Sequence, residues 1–236
     1  MKKKNAFTLA EVLITLGIIG IVAAMTLPTL IQKNNNRVVE TRLMKFYSAI
    51  NQAIKMAEVD YGDKKYWYEN DLNGAEFDKD GNPVQGSSNQ ERWFNKYLRP
   101  YMKVVKTETL SEGRLMVYFA DGSAMAVFRG DSMSDLIFYP GDPNRCLKKY
   151  SWKFDSLGKC SFMFFYNPNC TTAACKYHYD KGPEPYKYSW DGNKESLYTN
   201  SPYACSKTIG NNHLCTAVIQ MNNWKIPDEY PYKVSY

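Results

Sequence analysis

The sequence has few of the residues from which catalytic sites and nucleic-acid-binding surfaces are built. Its only histidines are His178 and His213, and it contains neither a nucleophile elbow nor a glycine-rich phosphate loop. Of its 30 basic residues, three are Lys2, Lys3 and Lys4, and the other 27 face 24 acidic residues. So small an excess predicts no nucleic-acid partner. We therefore expect no catalytic residues and no enzymatic activity, and we interpret both histidines as hydrogen-bonded surface residues.

Charged residues are absent from a long segment near the N-terminus. Residues 12–32 read VLITLGIIGIVAAMTLPTLIQ and include no Lys, Arg, Asp or Glu. As an α-helix this segment would be about 30 Å long, the thickness of the hydrocarbon core of a bilayer. Because three lysines precede it, the positive-inside rule predicts a single pass through the cytoplasmic membrane, with the N-terminus inside and the rest of the chain outside.

Helical periodicity continues beyond this segment. After the polar stretch 32–36, apolar residues recur every three or four positions, at Val39, Leu43, Phe46, Ile50, Ile54 and Ala57. This spacing predicts one helix of about fifty residues. Its first half is apolar on all sides, and its second half, about residues 37–60, should lay an apolar stripe on a β-sheet.

Two simpler interpretations of the apolar segment stay open. Val22-Ala23-Ala24 could serve as the end of a cleavable secretion signal, and the segment could also be a plain membrane anchor. Glu11 argues against both, because a charged residue within lipid costs about 2.5–3.5 kcal/mol and requires a partner. Cleavage after Ala24 would also interrupt the continuous helical pattern.

The residues before and inside the apolar segment resemble a known signal. The basic residues 2–4, Asn5 and Ala6 precede Phe7-Thr8-Leu9-Ala10-Glu11-Val12-Leu13-Ile14. This pattern is similar to the class III signal of type IV prepilins and type II secretion pseudopilins. The similarity is specific because a basic leader, a Phe, a Glu and an apolar run have to coincide.

The resemblance implies how the N-terminus is processed. A prepilin peptidase would cut between Ala6 and Phe7, and Phe7 would then be N-methylated. Glu11 matches the signature acid of the family, and Pro28 falls where these proteins carry a helix-kinking proline. The sequence departs from the family pattern at Ala6, where glycine is usual.

The same residues suggest how subunits would assemble. In a filament, Glu11 of one subunit could neutralise the new Phe7 amine of a neighbour. An unpaired buried charge costs several kcal/mol, so this pair would set the stagger between subunits as well as their stability. Gly17, Gly20 and Pro28 weaken a helix. They are consistent either with a segment that bends or partly melts during assembly or with ordinary small-residue packing in a membrane.

Beyond residue 61 the sequence predicts an antiparallel sheet. Residues 114–120 and 123–128 flank Asp121-Gly122, which is a strong hairpin signal. A short helix is predicted at residues 90–102, and further strands at residues 136–139, 161–166 and 216–221. The aromatic-rich tail at residues 222–231 predicts a plug packed on the sheet. Together with the long N-terminal helix, these elements indicate an α+β fold with an antiparallel β-sheet headgroup.

Cysteine occurs only in the C-terminal part of the chain, at Cys146, Cys160, Cys170, Cys175, Cys205 and Cys215. An even number outside the cytoplasm favours disulfides. Proximity along the chain favours Cys205–Cys215 and then Cys170–Cys175, which leaves Cys146–Cys160. Six cysteines allow 15 pairings, so this order is a hypothesis.

Metal sites are only weakly indicated. The candidate thiolate zinc sites are Cys170-x4-Cys175-x2-His178 and His213-x-Cys215. Their spacings differ from those of the usual paired zinc ligands. Three aspartates in predicted loops form no regular calcium-binding pattern: Asp155, Asp180 and Asp191. We therefore expect no cofactor and assign no metal ligands, with calcium as the alternative.

These patterns divide the chain into four parts. They are a leader at residues 1–6, a transmembrane and assembly helix at 7–32, the amphipathic half of the same helix at 33–60, and a globular headgroup at 61–236.

The resemblance implies a structural subunit of a type IV pilus or a type II secretion pseudopilus, and the size of the headgroup favours a minor subunit or a true pilin. Its partners would be other pilin or pseudopilin subunits, the prepilin peptidase, the cytoplasmic membrane and the assembly platform. The alternative is a non-polymerising, membrane-anchored binding domain outside the cytoplasm.

Overall fold

The long helix predicted from the periodicity is present. The computed structural model describes residues 8–67, 72–128, 133–150, 154–200 and 202–236. In it, α1 (Leu9–Tyr61) is one α-helix of 53 residues. Thr8 caps its first turn, and Gly62 ends it with φ 76°, a backbone conformation that glycine adopts without a steric penalty.

Four shorter α-helices and six strands follow α1 in the described part of the chain. The helices are α2 (Asn89–Tyr97), α3 (Pro143–Lys149), α4 (Ser196–Thr199) and α5 (Cys215–Met221). The strands are β1 (Val104–Thr109), β2 (Leu115–Phe119), β3 (Ala124–Val127), β4 (Asp135–Tyr139), β5 (Phe162–Phe165) and β6 (Glu184–Pro185). They form one sheet in the order of the sequence, and every adjacent pair is antiparallel. The predicted α+β fold is confirmed.

The second half of α1 packs its apolar stripe on this sheet. The predicted stripe residues are all buried: Val39, Leu43, Phe46, Ile50, Ile54 and Ala57. The ring centroid of Phe46 lies 4.3 Å from that of Phe138 in β4 and 5.1 Å from that of Phe164 in β5. A third ring, Phe119 at the end of β2, lies 6.1 Å away. Contacts of one side chain with three strands fix the rotation of α1 on the sheet.

The opposite face of the sheet is covered by the C-terminal part of the chain. Successive strand residues point to opposite faces, so Phe165 points away from α1. Its ring lies 4.8 Å from His178 and 5.5 Å from Tyr186. All five residues of β4 are buried, as in a strand covered on both faces. The sheet is therefore the middle layer between α1 and the C-terminal loops.

Several predicted elements of the headgroup are confirmed. The hairpin β2–β3 turns at Asp121-Gly122, with Met116 opposite Ala126 and Gly122 at φ 79°. The strands predicted at residues 136–139 and 161–166 are β4 and β5. The helix predicted at residues 90–102 is α2, which ends earlier, and a separate 3-10 turn follows it at Arg99–Tyr101.

The strand predicted at residues 216–221 is wrong, because these residues form α5. Ala217, Val218 and Ile219 are fully buried, and a short apolar run does not distinguish a buried helix from a buried strand. Two observed strands were not predicted. β1 is an edge strand with two exposed and three half-buried residues, and β6 is a two-residue edge strand that contains Pro185.

Three disulfides join the C-terminal part of the chain: Cys146–Cys160, Cys170–Cys175 and Cys205–Cys215. These are the pairs that proximity along the sequence favours. The first connects α3 to the segment before β5, and the last connects a loop to the first residue of α5. A disulfide typically stabilises a fold by about 2–4 kcal/mol, which is substantial for a layer composed mainly of loops.

Replacing Ile50 with alanine should destabilise the headgroup by about 2–5 kcal/mol, because it removes buried methyl groups and leaves a cavity. Denaturant unfolding of the full chain in detergent, followed by tryptophan fluorescence, measures the change. Val59→Ala is the matched control, because Val59 lies on the same helix and is 84% exposed. It should change the free energy of unfolding by less than about 0.5 kcal/mol. Equal losses in the two variants would contradict the assignment of the buried face.

Candidate functional site

The first half of α1 leaves its apolar side chains uncovered. Its large apolar residues are exposed by 42% to 78%: Leu9, Val12, Leu13, Ile14, Leu16, Ile18, Ile19, Ile21, Val22, Met25, Leu27, Leu30 and Ile31. Among the helices of the described ranges, α1 is the one long and apolar enough to cross a membrane. A helix that is apolar on all sides needs an apolar environment, which only lipid or neighbouring helices can provide.

The N-terminus of α1 is closed by reciprocal hydrogen bonds between Thr8 and Glu11. Thr8 Oγ1 accepts from the Glu11 N–H at 3.3 Å, and Glu11 Oε2 accepts from the Thr8 N–H at 2.8 Å. The Thr8 hydroxyl also donates to Oε2 at 2.8 Å. This is a capping box, for which Thr-x-x-Glu is the sequence pattern, so the role of Thr8 could have been predicted. No residue in the described part of the chain donates to Glu11 Oε1.

The other predicted assembly residues lie within α1 or outside the described residues. Ala6 and Phe7 are outside, so the cleavage site stays a prediction. Pro28 lies inside α1, which continues on both sides of it. A carbon atom added at Gly17 or Gly20 would meet no other atom within 4 Å. No contact with the described residues therefore requires glycine at these two positions.

The headgroup first meets α1 at Gln32. Its side-chain amide donates to the backbone oxygen of Val234 at 3.1 Å and to Asn36 Oδ1 at 2.7 Å. Ile31, one residue earlier, is 58% exposed, whereas Val39 is fully buried. The helix therefore changes from an uncovered apolar rod to a packed amphipathic helix within about two turns.

Ion pairs add to the apolar attachment of α1. Glu40 pairs with Lys225 at 2.9 Å and accepts from the Ile226 N–H at 3.0 Å, so the tail that follows α5 is held against α1. Lys45 pairs with Asp121 of the β2–β3 turn at 2.7 Å. Burial alone would raise the pKa of Asp121, but hydrogen bonds from Lys45 and from the turn outweigh it and lower the pKa to about 2.

A partly buried chain of hydrogen bonds also connects α1 to α5. Tyr47 donates to Glu184 at 2.7 Å, and the Gln220 amide donates to the same carboxylate at 3.1 Å. Lys187, which is 2% exposed, donates to Gln220 at 2.6 Å and to the Tyr177 hydroxyl at 2.8 Å. Burial lowers the pKa of Lys187 to about 8. A satisfied buried network favours one arrangement of its elements, here of α1 against the C-terminal layer.

Both histidines are buried, so the prediction that they lie on the surface is wrong. His178 is fully buried, and its Nε2 accepts from the Lys187 N–H at 3.2 Å. His213 is 5% exposed and packs against Tyr186 at 4.9 Å. Burial lowers the pKa of His178 to about 3, with a smaller contribution from nearby lysines, and lowers that of His213 to about 4. Aromatic rings of the C-terminal layer surround both histidines and make their environment apolar. The sequence around them resembles that of exposed loops, so it gives no sign of this burial.

The groups considered for metal binding have other partners. Within the described ranges, no cluster of three or more His, Cys, Asp or Glu could hold a metal ion. The cysteines form disulfides and offer no thiolate to zinc. Asp180 pairs with Lys64 at 3.0 Å, and Asp191 accepts from the Asn193 N–H at 2.8 Å. Asp155 lies in a 3-10 turn at Phe154–Ser156.

The headgroup should lose stability as the pH falls from about 6.5 to 4. In this window the unfolded histidines bind protons that buried His178 and His213 do not, so the free energy of unfolding falls by up to about 1.4 kcal/mol per pH unit for each histidine. Thermal unfolding across this range measures the slope. His178→Gln keeps the acceptor for the Lys187 N–H and should flatten the profile. An unchanged slope in this variant would contradict the buried neutral state of His178.

Comparison with protein families gives two matches. Residues 29–234 match a model described as a family of unknown function (DUF6613), and residues 1–27 match the prokaryotic N-terminal methylation motif. No curated protein and no solved structure matches the chain. The second match is the prepilin-type motif of type IV pilins and pseudopilins, so the resemblance noted at residues 2–14 is confirmed.

Proposed function

Because the chain belongs to DUF6613, a family of unknown function, and carries the prepilin-type methylation motif at residues 1–27, we propose that it is a filament subunit. A prepilin peptidase cuts it between Ala6 and Phe7 and methylates Phe7. The mature chain is then polymerised into a type IV pilus or a type II secretion pseudopilus, either as a minor subunit or as a true pilin. Proteins with this motif are in general structural, and the proposed role requires no catalytic group.

The observation that carries the proposal is the exposure of the first half of α1 on all sides. Before assembly, lipid covers these side chains, since the helix is long enough to cross the bilayer. After extraction from lipid, each large apolar side chain left in water would cost roughly 1.5–3 kcal/mol. Packing against the same segment of other subunits removes this cost, and the headgroup stays outside the bundle of helices.

Glu11 gives the packed helices their register. Its Oε2 is used by the cap at Thr8, whereas Oε1 is available to a donor from another chain. Cleavage before Phe7 creates an amine that can fill this position from a neighbouring subunit. A subunit out of register would leave a charge unpaired in an apolar bundle, at a cost of several kcal/mol. The pair therefore selects one stagger.

The same proposal assigns the other segments of the chain. Residues 1–6 are a leader that is removed, residues 7–32 cross the cytoplasmic membrane, residues 33–60 attach to the headgroup, and residues 61–236 form the headgroup outside. Gly17 and Gly20 satisfy no packing need within the part of the chain that the structure describes. They serve either close approach of neighbouring helices or local unwinding near Pro28 during assembly.

Substitutions at Glu11 separate a filament subunit from a static anchor. Glu11→Val should insert into the membrane but fail to enter filaments, because the Phe7 amine loses its counter-charge. Glu11→Gln is the decisive companion, since glutamine still closes a capping box but carries no charge. Both variants should therefore lose assembly. Membrane fractionation and shearing of filaments from cells measure insertion and incorporation separately.

Each other outcome of this series has a definite meaning. Normal incorporation of Glu11→Gln with failure of Glu11→Val would reduce the role of Glu11 to helix capping. Normal incorporation of both would contradict the charge pair. Absence of the unmodified chain from every filament fraction would favour a membrane-anchored binding domain that does not polymerise.

A further inference from the structure

The base of the headgroup surrounds the point at which α1 leaves the apolar environment. Residues 12–32 carry no charge, and Lys33 is the first charged residue after them. The contact between Gln32 and the backbone oxygen of Val234 brings the C-terminal tail to this level. If α1 crosses the membrane as proposed, residues near Gln32 lie at the depth of the lipid headgroups.

Four exposed basic residues gather at this base. Lys33 and Arg37 lie on α1 just after the apolar segment, and Lys207 and Lys233 line the groove that Gln32 also lines. We call these four residues the basic collar. None of them forms an ion pair with a carboxylate in the described part of the chain. By contrast, the nearby Lys225 is already paired with Glu40.

The loop that carries Lys207 has a second feature suited to a lipid surface. The disulfide Cys205–Cys215 closes this loop, and Ile209 is 42% exposed within it. At Gly210 φ is 77°, and an added carbon atom would lie 2.6 Å from Ala204 N, so the backbone shape is closely defined. An apolar side chain beside a cation is the combination that binds an interface by partial insertion and charge attraction.

From these observations we propose that the basic collar and the Ile209 loop dock the headgroup onto anionic lipid headgroups of the outer leaflet of the cytoplasmic membrane. Among the described residues, Asp228 lines the same groove, Glu229 follows it in the sequence, and both are exposed. The four basic residues outnumber these two carboxylates. Docking holds the headgroup upright over its membrane helix before assembly. This inference rests on the proposed membrane insertion of α1 but not on polymerisation.

Photo-crosslinking of the full chain in nanodiscs tests the docking. The discs consist of phosphatidylcholine with a trace of photoactivatable phosphatidylglycerol or, separately, photoactivatable phosphatidylcholine, with the reactive group near the glycerol backbone. Adducts on peptides containing Lys207 or Lys233 are normalised to adducts on residues 9–31. The phosphatidylglycerol probe should be enriched at the collar by about fivefold or more, the factor that one basic residue contributes near an anionic surface. High salt should reduce this enrichment.

Matched variants assign the effect to the collar. Lys207→Gln combined with Lys233→Gln should lower the enrichment to near one. Lys55→Gln should leave it unchanged, since exposed Lys55 lies 23 residues beyond Gln32 on α1, about 35 Å along the helix. Equal labelling of the basic collar by both probes, with normal labelling of residues 9–31, would overturn the proposed docking and leave the proposed membrane insertion standing. Absence of adducts on residues 9–31 would overturn the proposed membrane insertion, and this inference with it.

Discussion

The structure depends on one constraint: a single helix has to satisfy two different environments. Its first half exposes apolar side chains in all directions, and its second half buries one narrow stripe on a sheet. The two halves meet at Gln32, where the headgroup begins to touch the helix. Because the helix is continuous, its packing on the sheet also sets the direction in which the apolar half leaves the headgroup. Membrane insertion and filament assembly would both depend on that direction.

The attachment of α1 therefore has to be specific as well as strong. Apolar burial supplies most of the strength, and the contacts of Phe46 with three strands set its rotation. The hydrogen bonds from Tyr47 through Glu184 and Gln220 to Lys187 add a geometric requirement that apolar contacts alone would not impose. The disulfide Cys205–Cys215 ties the first residue of α5, the helix that carries Gln220, to the preceding loop. The C-terminal layer thus keeps the helix in one orientation, on which the proposed assembly would depend.

An element of this fold could be predicted where its own sequence carries a specific local pattern. The stripe from Val39 to Ala57 was predictable because its helical period persists over many residues, and the hairpin because Asp121-Gly122 is a specific turn pair. Residues 216–221 were misassigned because their consecutive apolar residues, 217–219, are fully buried, and so short a run shows no helical or strand period. The burial of both histidines and the Tyr47–Lys187 network depend on contacts between distant segments, which no local pattern contains. At the N-terminus the Thr8–Glu11 cap could be predicted from the Thr-x-x-Glu pattern, whereas the proposed filament partner of Glu11 would belong to another chain, which a single sequence does not describe.

N-terminal mass spectrometry of the protein isolated from its native membrane fraction tests the proposed function most directly. We expect the chain to start at Phe7 and this residue to be heavier by one methyl group, because entry into the prepilin pathway requires both cleavage after Ala6 and methylation. A chain that still starts at Met1 would contradict processing and favour a static anchor. A chain that starts after Ala24 would show a conventional secretion signal, and a protein without its apolar half could not assemble as proposed.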